Sequence, residues 1–290
     1  MRSQAAICSV VVTATTVWAP CTLVLLAAAG PSPHLHRGTR PLAGALSAAG
    51  VTEVRGDLAD PEDLARALGE GADLLVDCIG YDASDAQRVV TGSADLGSAV
   101  VISSAAVYTD AQGAIHGRYA RNPREWNVLK HILDGRRHVV LAHGGSSSFQ
   151  TTAARTIAEL VRLAVARPGR RVLNAADPQA PTAAEIVAAV AGDRGTSLAV
   201  HTLPGGPQGS LGTNPWAVPH PMVLDMAAAA RGLGSQPVTD YAGALTDYLD
   251  WLQEVAVGHW RAELTDFPAG DLDLFDYQSE GAWFTSRSRG

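Results

Sequence analysis

The run Val100–Tyr108 (VVISSAAVY) constrains the fold of this chain more than any other segment. Three β-branched apolar residues lead into Ser103 and Ser104, and small residues then precede a valine and a tyrosine. A buried parallel strand has this continuous apolar character, and open α/β sheets bind ligands at the carboxyl ends of such strands. The run therefore predicts a buried parallel strand that opens into a site at the two serines.

The segments before this run alternate between strand and helix patterns. Val51–Val54 and Leu74–Gly80 are apolar, and between them Asp60 and Pro61 form the start of a helix with carboxylates in its first turn. Strands that alternate with helices of this length predict a parallel sheet covered by helices. The predicted fold class is therefore α/β.

The carboxyl half continues the pattern less regularly. Helix patterns occur at Pro123–Leu133, Thr152–Ala166, Ala183–Ala191 and Tyr241–Glu254, and strand patterns at Val139–Ala142 and Val172–Asp177. Thr182 with Glu185 three residues later predicts a capping box. We predict a nucleotide-binding-type domain over 1–112 (1–33 atypical), the rest of the sheet and the substrate domain over 113–256, and a loosely ordered acidic tail over 257–290.

Composition excludes several classes of protein. The net charge of −7 and the pI near 5.7 argue against a general nucleic-acid binder, because no basic stripe is available to neutralise phosphates. Cys8, Cys21 and Cys78 form no CxxC pair, which favours a reduced, cytoplasmic protein. His34 and His36 have no accompanying ligand cluster, so we interpret them as a loop and predict no metal site. A small-molecule partner is expected, and a homodimer is left open.

The amino-terminal segment has two interpretations. Arg2 precedes an uncharged stretch from Gln4 to Pro33, which is typical of a secretory signal or of a membrane-associated segment over residues 4–30. The alternative is a first β-strand at Ile7–Thr13 followed by the first helix of the sheet domain. We favour the strand and helix because the rest of the chain is cytosolic in type, and we therefore expect no membrane partner.

Five segments, in order along the chain, resemble the NAD-dependent epimerase/dehydratase family of extended short-chain dehydrogenases/reductases. They are His36–Gly38, Gly56–Leu68, Val101–Tyr108, Val172–Ile186 and Val223–Leu245. The resemblance implies a Rossmann-like parallel sheet, abbreviated after Tyr108, with a smaller mixed α/β substrate domain. It also implies an NADP or NAD cofactor, and a nucleotide sugar or another small hydroxyl-bearing substrate.

Carried over residue by residue, the resemblance implies a cofactor site. Arg37 would face the adenosine ribose and favour NADP through its 2′-phosphate, and Asp57 with Leu58 would hold the adenine edge. The backbone of Cys78, Ile79 and Gly80 would approach the cofactor. The residues themselves also allow interpretations that involve no cofactor: Arg37 as a solvated loop arginine, and Asp57 as the start of an Asx turn.

At the substrate end, the resemblance implies that Ser103 lies beside the cofactor and that Ser104 donates a hydrogen bond to the substrate oxygen. The alternative for Ser104 is a serine that caps the strand end. His116 is a further candidate acid/base, because imidazole titrates near neutral pH. The alternative is that His116 is an isolated loop histidine with no catalytic role.

Two features of the family are missing. No glycine occurs between Met1 and Ala29, although the family places a glycine-rich turn after the first strand to admit the pyrophosphate. The family's catalytic YxxxK pair is also absent: none of the six tyrosines has a lysine four residues later, and Lys130 is the only lysine. Without a nearby cation, a phenol of pKa near 10 is a poor base at neutral pH.

Three functional interpretations remain. The first is an NAD(P)-dependent epimerase, dehydratase or reductase with impaired catalysis. The second is a non-catalytic Rossmann-like sensor or scaffold protein, and the third is an altered or truncated gene product of such an enzyme.

Overall fold

The computed structural model describes residues 10–13, 32–38, 47–48, 50–57, 59–78, 83–92, 96–102, 124–167, 169–256 and 273–287. The chain divides into two compact units. Unit 1 comprises Met1–Ile115, Ala154–Ala175 and Met226–Val238, and unit 2 comprises His116–Ala153, Ala176–Asp225 and Thr239–Gly290.

Unit 1 is built on a parallel sheet. Its described residues form five strands: β1 (Val10–Thr13), β2 (Ser32–His36), β3 (Val51–Arg55), β4 (Leu74–Asp77) and β5 (Ala99–Val101). Its helices are α1 (Pro61–Leu68), α2 (Ala83–Thr91), α4 (Ala154–Ala166) and α6 (Ala227–Leu233). The strand order is β3-β2-β1-β4-β5, and every pair is parallel, so the predicted Rossmann-like α/β sheet is confirmed.

Local sequence explains the elements of this sheet. Every residue of β4 is buried, as expected of a central parallel strand with a continuous apolar run. Asp60 caps α1 by accepting a hydrogen bond from the backbone N–H of Glu62 at 2.9 Å, and Pro61 occupies the first turn. The core between sheet and helix contains Leu35, Leu64, Ala67, Leu68, Ala72, Leu75 and Val89.

Strand β1 lies at the centre of the sheet. It pairs with β2 on one side and with β4 on the other, and Thr13 is opposite both Leu35 and Asp77. The prediction that a strand ends at Thr13 is therefore confirmed for residues 10–13. Across the part of the chain that the structure describes, no helix combines the length and the apolar character that a membrane span requires.

Two sequence expectations about this sheet were wrong. The loop assigned to His34 and His36 is strand β2, where both side chains are buried and their rings stack with centroids 4.8 Å apart. The strand predicted to be buried at Val100–Ile102 is β5, the last strand on its side of the sheet, and Val101 is 50% exposed. Its apolar sequence resembled that of an interior strand, but β4 is its only ladder partner among the described residues.

Unit 2 contains a smaller parallel pair, β6 (His138–Leu141) and β7 (Ala199–Thr202). Its helices are α3 (Trp126–Leu133), α5 (Ala183–Asp193), α7 (Leu245–Ala256) and α8 (Tyr277–Arg287), with 3-10 turns at His143–Gly145 and Ala242–Ala244. The capping box at the start of α5 is confirmed, since Thr182 and Glu185 each accept a hydrogen bond from the other's backbone N–H. The core of unit 2 includes Trp126, Leu129, Ile186, Val190, Trp216, Leu249 and Leu252.

Two further expectations need correction. The strand predicted at Val172–Asp177 is irregular in the structure, where Leu173 and Ala175 pack against α4 and α6 through their side chains and Val172 is 82% exposed. The tail predicted to be loosely ordered contains helix α8, whose Glu280 is buried and accepts a hydrogen bond from Arg136 at 3.2 Å. The sequence pattern did not indicate this helix, because its apolar residues do not fall on one face.

Candidate functional site

The carboxyl ends of the strands of unit 1 lie side by side. Thr13 is opposite Asp77, Asp77 is opposite Val101, and His36 is opposite Arg55, so all five strands end at one edge of the sheet. The chain order reverses between β1 and β4, and ligands of open α/β sheets bind at such a switch point. This edge is the candidate site.

The end of β2 holds an arginine between two fixed residues. His36 is buried, its Nε2 lies 2.9 Å from Glu53 Oε1, and its Nδ1 accepts a hydrogen bond from the backbone N–H of Gly38 at 3.2 Å. Gly38 has φ of +74°, a conformation that glycine adopts without steric cost. Arg37 is exposed between them, so its guanidinium is available to a ligand at the strand end.

The end of β3 is a tight turn onto helix α1. The backbone N–H of Asp57 donates to Asp63 Oδ2 at 2.7 Å, and Asp57 Oδ1 accepts from the backbone N–H of Ala59 at 2.9 Å. A Cβ on Gly56 would lie 2.5 Å from Asp63 Cγ, so glycine is required for this approach. Asp57 is exposed and forms the Asx turn that the sequence allowed, with one carboxylate oxygen engaged in it.

The end of β4 carries a buried acid followed by a thiol. Asp77 is 1% exposed, and its carbonyl accepts a hydrogen bond from the backbone N–H of Ile102 at 2.7 Å. Burial, together with the neighbouring Asp77 charge, raises the pKa of the Cys78 thiol to about 12. Cys78 is therefore a neutral thiol at physiological pH rather than a nucleophile.

The structure thus brings Arg37, Asp57 and Cys78 to the ends of β2, β3 and β4, in one edge of one sheet. Sequence reasoning missed His36 and Asp77 at the same edge. Neither was predicted, because His36 was interpreted as a loop residue and Asp77 lies inside the predicted strand Leu74–Gly80. The other predicted site residues lie outside the described residues: Leu58, Ile79, Gly80, Ser103, Ser104 and His116.

Unit 2 contains a separate cluster of an acid and two phenols. The Tyr241 hydroxyl donates to Glu125 Oε1 at 3.1 Å, and Tyr248 also hydrogen-bonds the Glu125 carboxylate. Burial raises the pKa of Glu125, and burial together with the Glu125 charge raises the pKa of both tyrosines well above the usual value. The pKa of each of these three side chains therefore lies above its ordinary value.

Asp177 organises the neighbouring loops of unit 2. It is 2% exposed, and its two carboxylate oxygens accept from the Thr151 hydroxyl at 2.6 Å and from the backbone N–H of Ala153 at 2.8 Å. The buried Gln150 amide donates to the Asp177 carbonyl at 3.0 Å and accepts from the backbone N–H of Leu224. This network is structural, because buried polar groups that find partners fix the loops that carry them.

The only lysine of the chain is also in unit 2. Lys130 Nζ lies 2.5 Å from Asp134 Oδ2 on helix α3, and it lies 5.2 Å from the centre of the Phe275 ring. Tyr277 donates to the same Asp134 oxygen at 2.7 Å, and burial together with that hydrogen bond raises the pKa of Tyr277. Lysine and tyrosine therefore share an acid, and the lysine does not lower the pKa of the phenol.

No family model and no curated protein matches this sequence. Solved structures do match it, and the ADP-L-glycero-D-manno-heptose-6-epimerase of Helicobacter pylori is similar with a TM-score of 0.65 at 12% identity, over 87% of this chain and 98% of that chain. The UDP-N-acetylglucosamine 4-epimerase of Methanobrevibacter ruminantium, solved in complex with UDP-N-acetylmuramic acid, gives 0.66 at 13% identity over 86% and 99%. A UDP-glucose-4-epimerase of Stenotrophomonas maltophila, solved with bound NAD and formylated UDP-arabinopyranose, gives 0.56 at 16% identity over 86% and 99%.

The chain therefore has the Rossmann-like α/β fold of these epimerases. At such identities the likeness establishes the fold, and function has to be argued from the site.

Proposed function

We propose that this chain is a member of the NAD-dependent epimerase/dehydratase family that binds NAD(P) at the strand ends of unit 1 and has impaired catalysis. Its substrate class is a nucleotide sugar or another small hydroxyl-bearing molecule. The observation that carries the proposal is the parallel order β3-β2-β1-β4-β5 with Arg37 and Asp57 at adjacent strand ends. Structural neighbours that bind NAD and nucleotide sugars support it.

The positive charge of Arg37 supports a preference for NADP. A guanidinium presents a planar fork of donors that matches a phosphate, and Arg37 is exposed at the end of β2. The contact of His36 with Glu53 and the hydrogen bond from Gly38 to His36 fix the backbone on both sides of Arg37. A bound ligand would therefore lose less free energy in ordering this segment. NADPH should therefore bind more tightly than NADH.

The tyrosines support impaired catalysis. A tyrosine that acts as a base needs a cation that lowers its pKa. Within the described ranges, Tyr241, Tyr248 and Tyr277 each hydrogen-bond a carboxylate, and each has a raised pKa. Bound cofactor would supply hydride transfer at its nicotinamide, and the residues of this chain would orient the cofactor. None of these three tyrosines would serve as an effective proton acceptor.

Titration with NADPH and NADH, followed by nicotinamide fluorescence, tests the binding claim. We expect micromolar binding of NADPH and an Arg37→Ala variant that loses on the order of tenfold in NADPH affinity but little in NADH affinity, since one phosphate contact is removed. Arg231→Ala, an exposed arginine on α6, is the matched control and should change neither. No signal up to millimolar cofactor, or equal losses in the two variants, would overturn the proposal.

A second candidate is a non-catalytic sensor or scaffold, and the missing tyrosine–lysine pair favours it. The two candidates differ in turnover. With NAD and UDP-glucose or UDP-N-acetylglucosamine, an impaired enzyme should show slow but measurable epimerisation above a no-enzyme blank. A sensor should bind cofactor or nucleotide sugar and show none.

A further inference from the structure

One face of the β6–β7 pair carries two histidines beside the buried Val140. His138 is opposite Ala199 and Val140 is opposite His201, so the register places His138, Val140 and His201 on the same face of the ladder. Val139 and Leu141 point the other way, into the core of unit 2. The two histidines are 63 positions apart in the chain, which is why their pairing is invisible in the sequence.

Two ring nitrogens of this pair point at each other. His138 Nδ1 lies 3.1 Å from His201 Nε2, and the ring centroids are 5.2 Å apart. When both rings are neutral, one nitrogen must donate and the other must accept, so one proton lies between them. An ion bound by both nitrogens would displace that proton and would lie to one side of the line that joins the two nitrogens.

The separation suits two ligands of one metal ion. Nitrogen–metal bonds for zinc-like ions are about 2.0–2.1 Å long. For an ion equally distant from both nitrogens, the nitrogen–metal–nitrogen angle would therefore be roughly 100°. This angle lies between those of square-planar and tetrahedral coordination, and imidazole is a common ligand in both. Rotation of each ring about its terminal side-chain torsion, which is soft, would turn the lone pairs toward the ion.

Helix α8 forms an aromatic wall beside the pair. The Phe284 ring centroid lies 4.8 Å from that of His201 and 5.3 Å from that of His138, and Trp283 lies 6.1 Å from His201. These contacts restrict the imidazoles, which reduces the entropy that an ion would have to overcome. His138 remains exposed, so an ion can enter from solvent.

We propose that His138 and His201 bind one divalent transition-metal ion of the Ni²⁺, Cu²⁺ or Zn²⁺ class, in place of the proton they share. The described residues contain no group of three or more His, Cys, Asp and Glu side chains that could hold a metal, so water completes the coordination shell. The ion joins β6 to β7 beneath α8, independently of the proposed cofactor site in unit 1.

Calorimetric titration of the tag-free full-length chain with Ni²⁺ and with Cu²⁺, at about pH 7.5, tests this site because imidazoles must be deprotonated to bind a metal. We expect one ion per chain at this site and a loss on the order of 100-fold in affinity for His138→Ala and for His201→Ala, since each variant removes one of two ligands. His220→Ala, another histidine of unit 2, is the matched control and should bind as the parent does.

His201→Gln provides a second variant that keeps a polar side chain beside Phe284 but lacks an imidazole nitrogen. Its binding should fall as in His201→Ala, and its Cu²⁺ electron paramagnetic resonance spectrum should lose the hyperfine pattern of two coupled nitrogens. The site is supported if metal affinity falls tenfold or more in the His138 and His201 variants but not in His220→Ala. The absence of binding, a smaller loss, or an equal loss in His220→Ala overturns it.

Discussion

Unit 1 and unit 2 are stabilised in different ways. Unit 1 depends on a ladder of five parallel strands whose core side chains are small or medium-sized aliphatics. Among its described residues, unit 2 has one pair of strands, and its core contains large side chains that three separate segments bring together, including Trp126, Trp216 and Leu249. The first architecture relies on backbone hydrogen bonds, whereas the second relies on side-chain packing.

This difference explains how the sheet can tolerate an unusual first strand. The ladder uses backbone N–H and C=O groups, which every residue except proline supplies. β1 therefore pairs on both sides although no glycine follows Thr13 before Gly30. Strand pairing does not depend on the residue types of the turn that follows the strand.

The largest expected effect is on packing. Leu249→Ala in unit 2 and Leu75→Ala in unit 1 each remove a buried side chain, and each should lower the free energy of unfolding by about 2–5 kcal/mol. Leu249→Ala should lower the free energy of unfolding more than Leu75→Ala does, because the rigid aromatic side chains of the unit 2 core cannot close the cavity that it leaves. Urea unfolding followed by far-ultraviolet circular dichroism, which reports on the helices and strands of both units, measures the two costs. A greater cost for Leu75→Ala would contradict the comparison.

A smaller effect should follow the loss of the Asp177 carboxylate. Asp177→Ala leaves the Thr151 hydroxyl and the Ala153 N–H without this buried acceptor, which should destabilise the chain by about 2–3 kcal/mol. Asp177→Asn keeps one acceptor oxygen and should cost less. Thermal unfolding of the two variants measures the difference, and equal costs would show that the hydrogen bonds contribute little.

The caps of the two units should contribute about 1 kcal/mol each. Thr182→Ala removes a reciprocal capping box from α5, and Asp60→Ala removes a single hydrogen bond from α1. We expect Thr182→Ala to cost more, because the Glu185 carboxylate also loses its partner hydroxyl. Chemical unfolding of both variants beside the parent provides the comparison, which fails if Asp60→Ala is the costlier.

The smallest effect is a pH dependence from Glu125. Burial raises the pKa of Glu125 in the folded chain, so its contribution to stability is complete below the ordinary glutamate pKa and is lost as pH rises through the raised value. Glu125→Gln removes this titration. The stability of the parent relative to Glu125→Gln should therefore fall between acidic and neutral pH, as measured by urea unfolding at several pH values, and a rise would contradict the raised pKa.

Sequence patterns predicted the parallel sheet, the Asp60 cap and the Thr182 capping box, because each depends on neighbours within a few residues. They failed for β2, where the buried histidine pair is stabilised by Glu53 on another strand. They also failed for α8, whose Glu280 and Phe284 are fixed by partners more than eighty positions away.

The candidate site was less predictable. Arg37, Asp57 and Cys78 could be named because the resemblance to the epimerase/dehydratase family implied them, and the structure places them at strand ends. Asp77 and the histidine pair on β6 and β7 could not, because their roles depend on which strands are adjacent.

A structure from crystals of the chain grown with NADPH would show whether the strand ends of unit 1 bind the cofactor. We expect the adenosine phosphate beside Arg37, the adenine edge near Asp57, and the nicotinamide extending across the ends of β1 and β4. An empty strand edge at saturating NADPH, or a cofactor bound elsewhere on the molecule, would contradict this expectation.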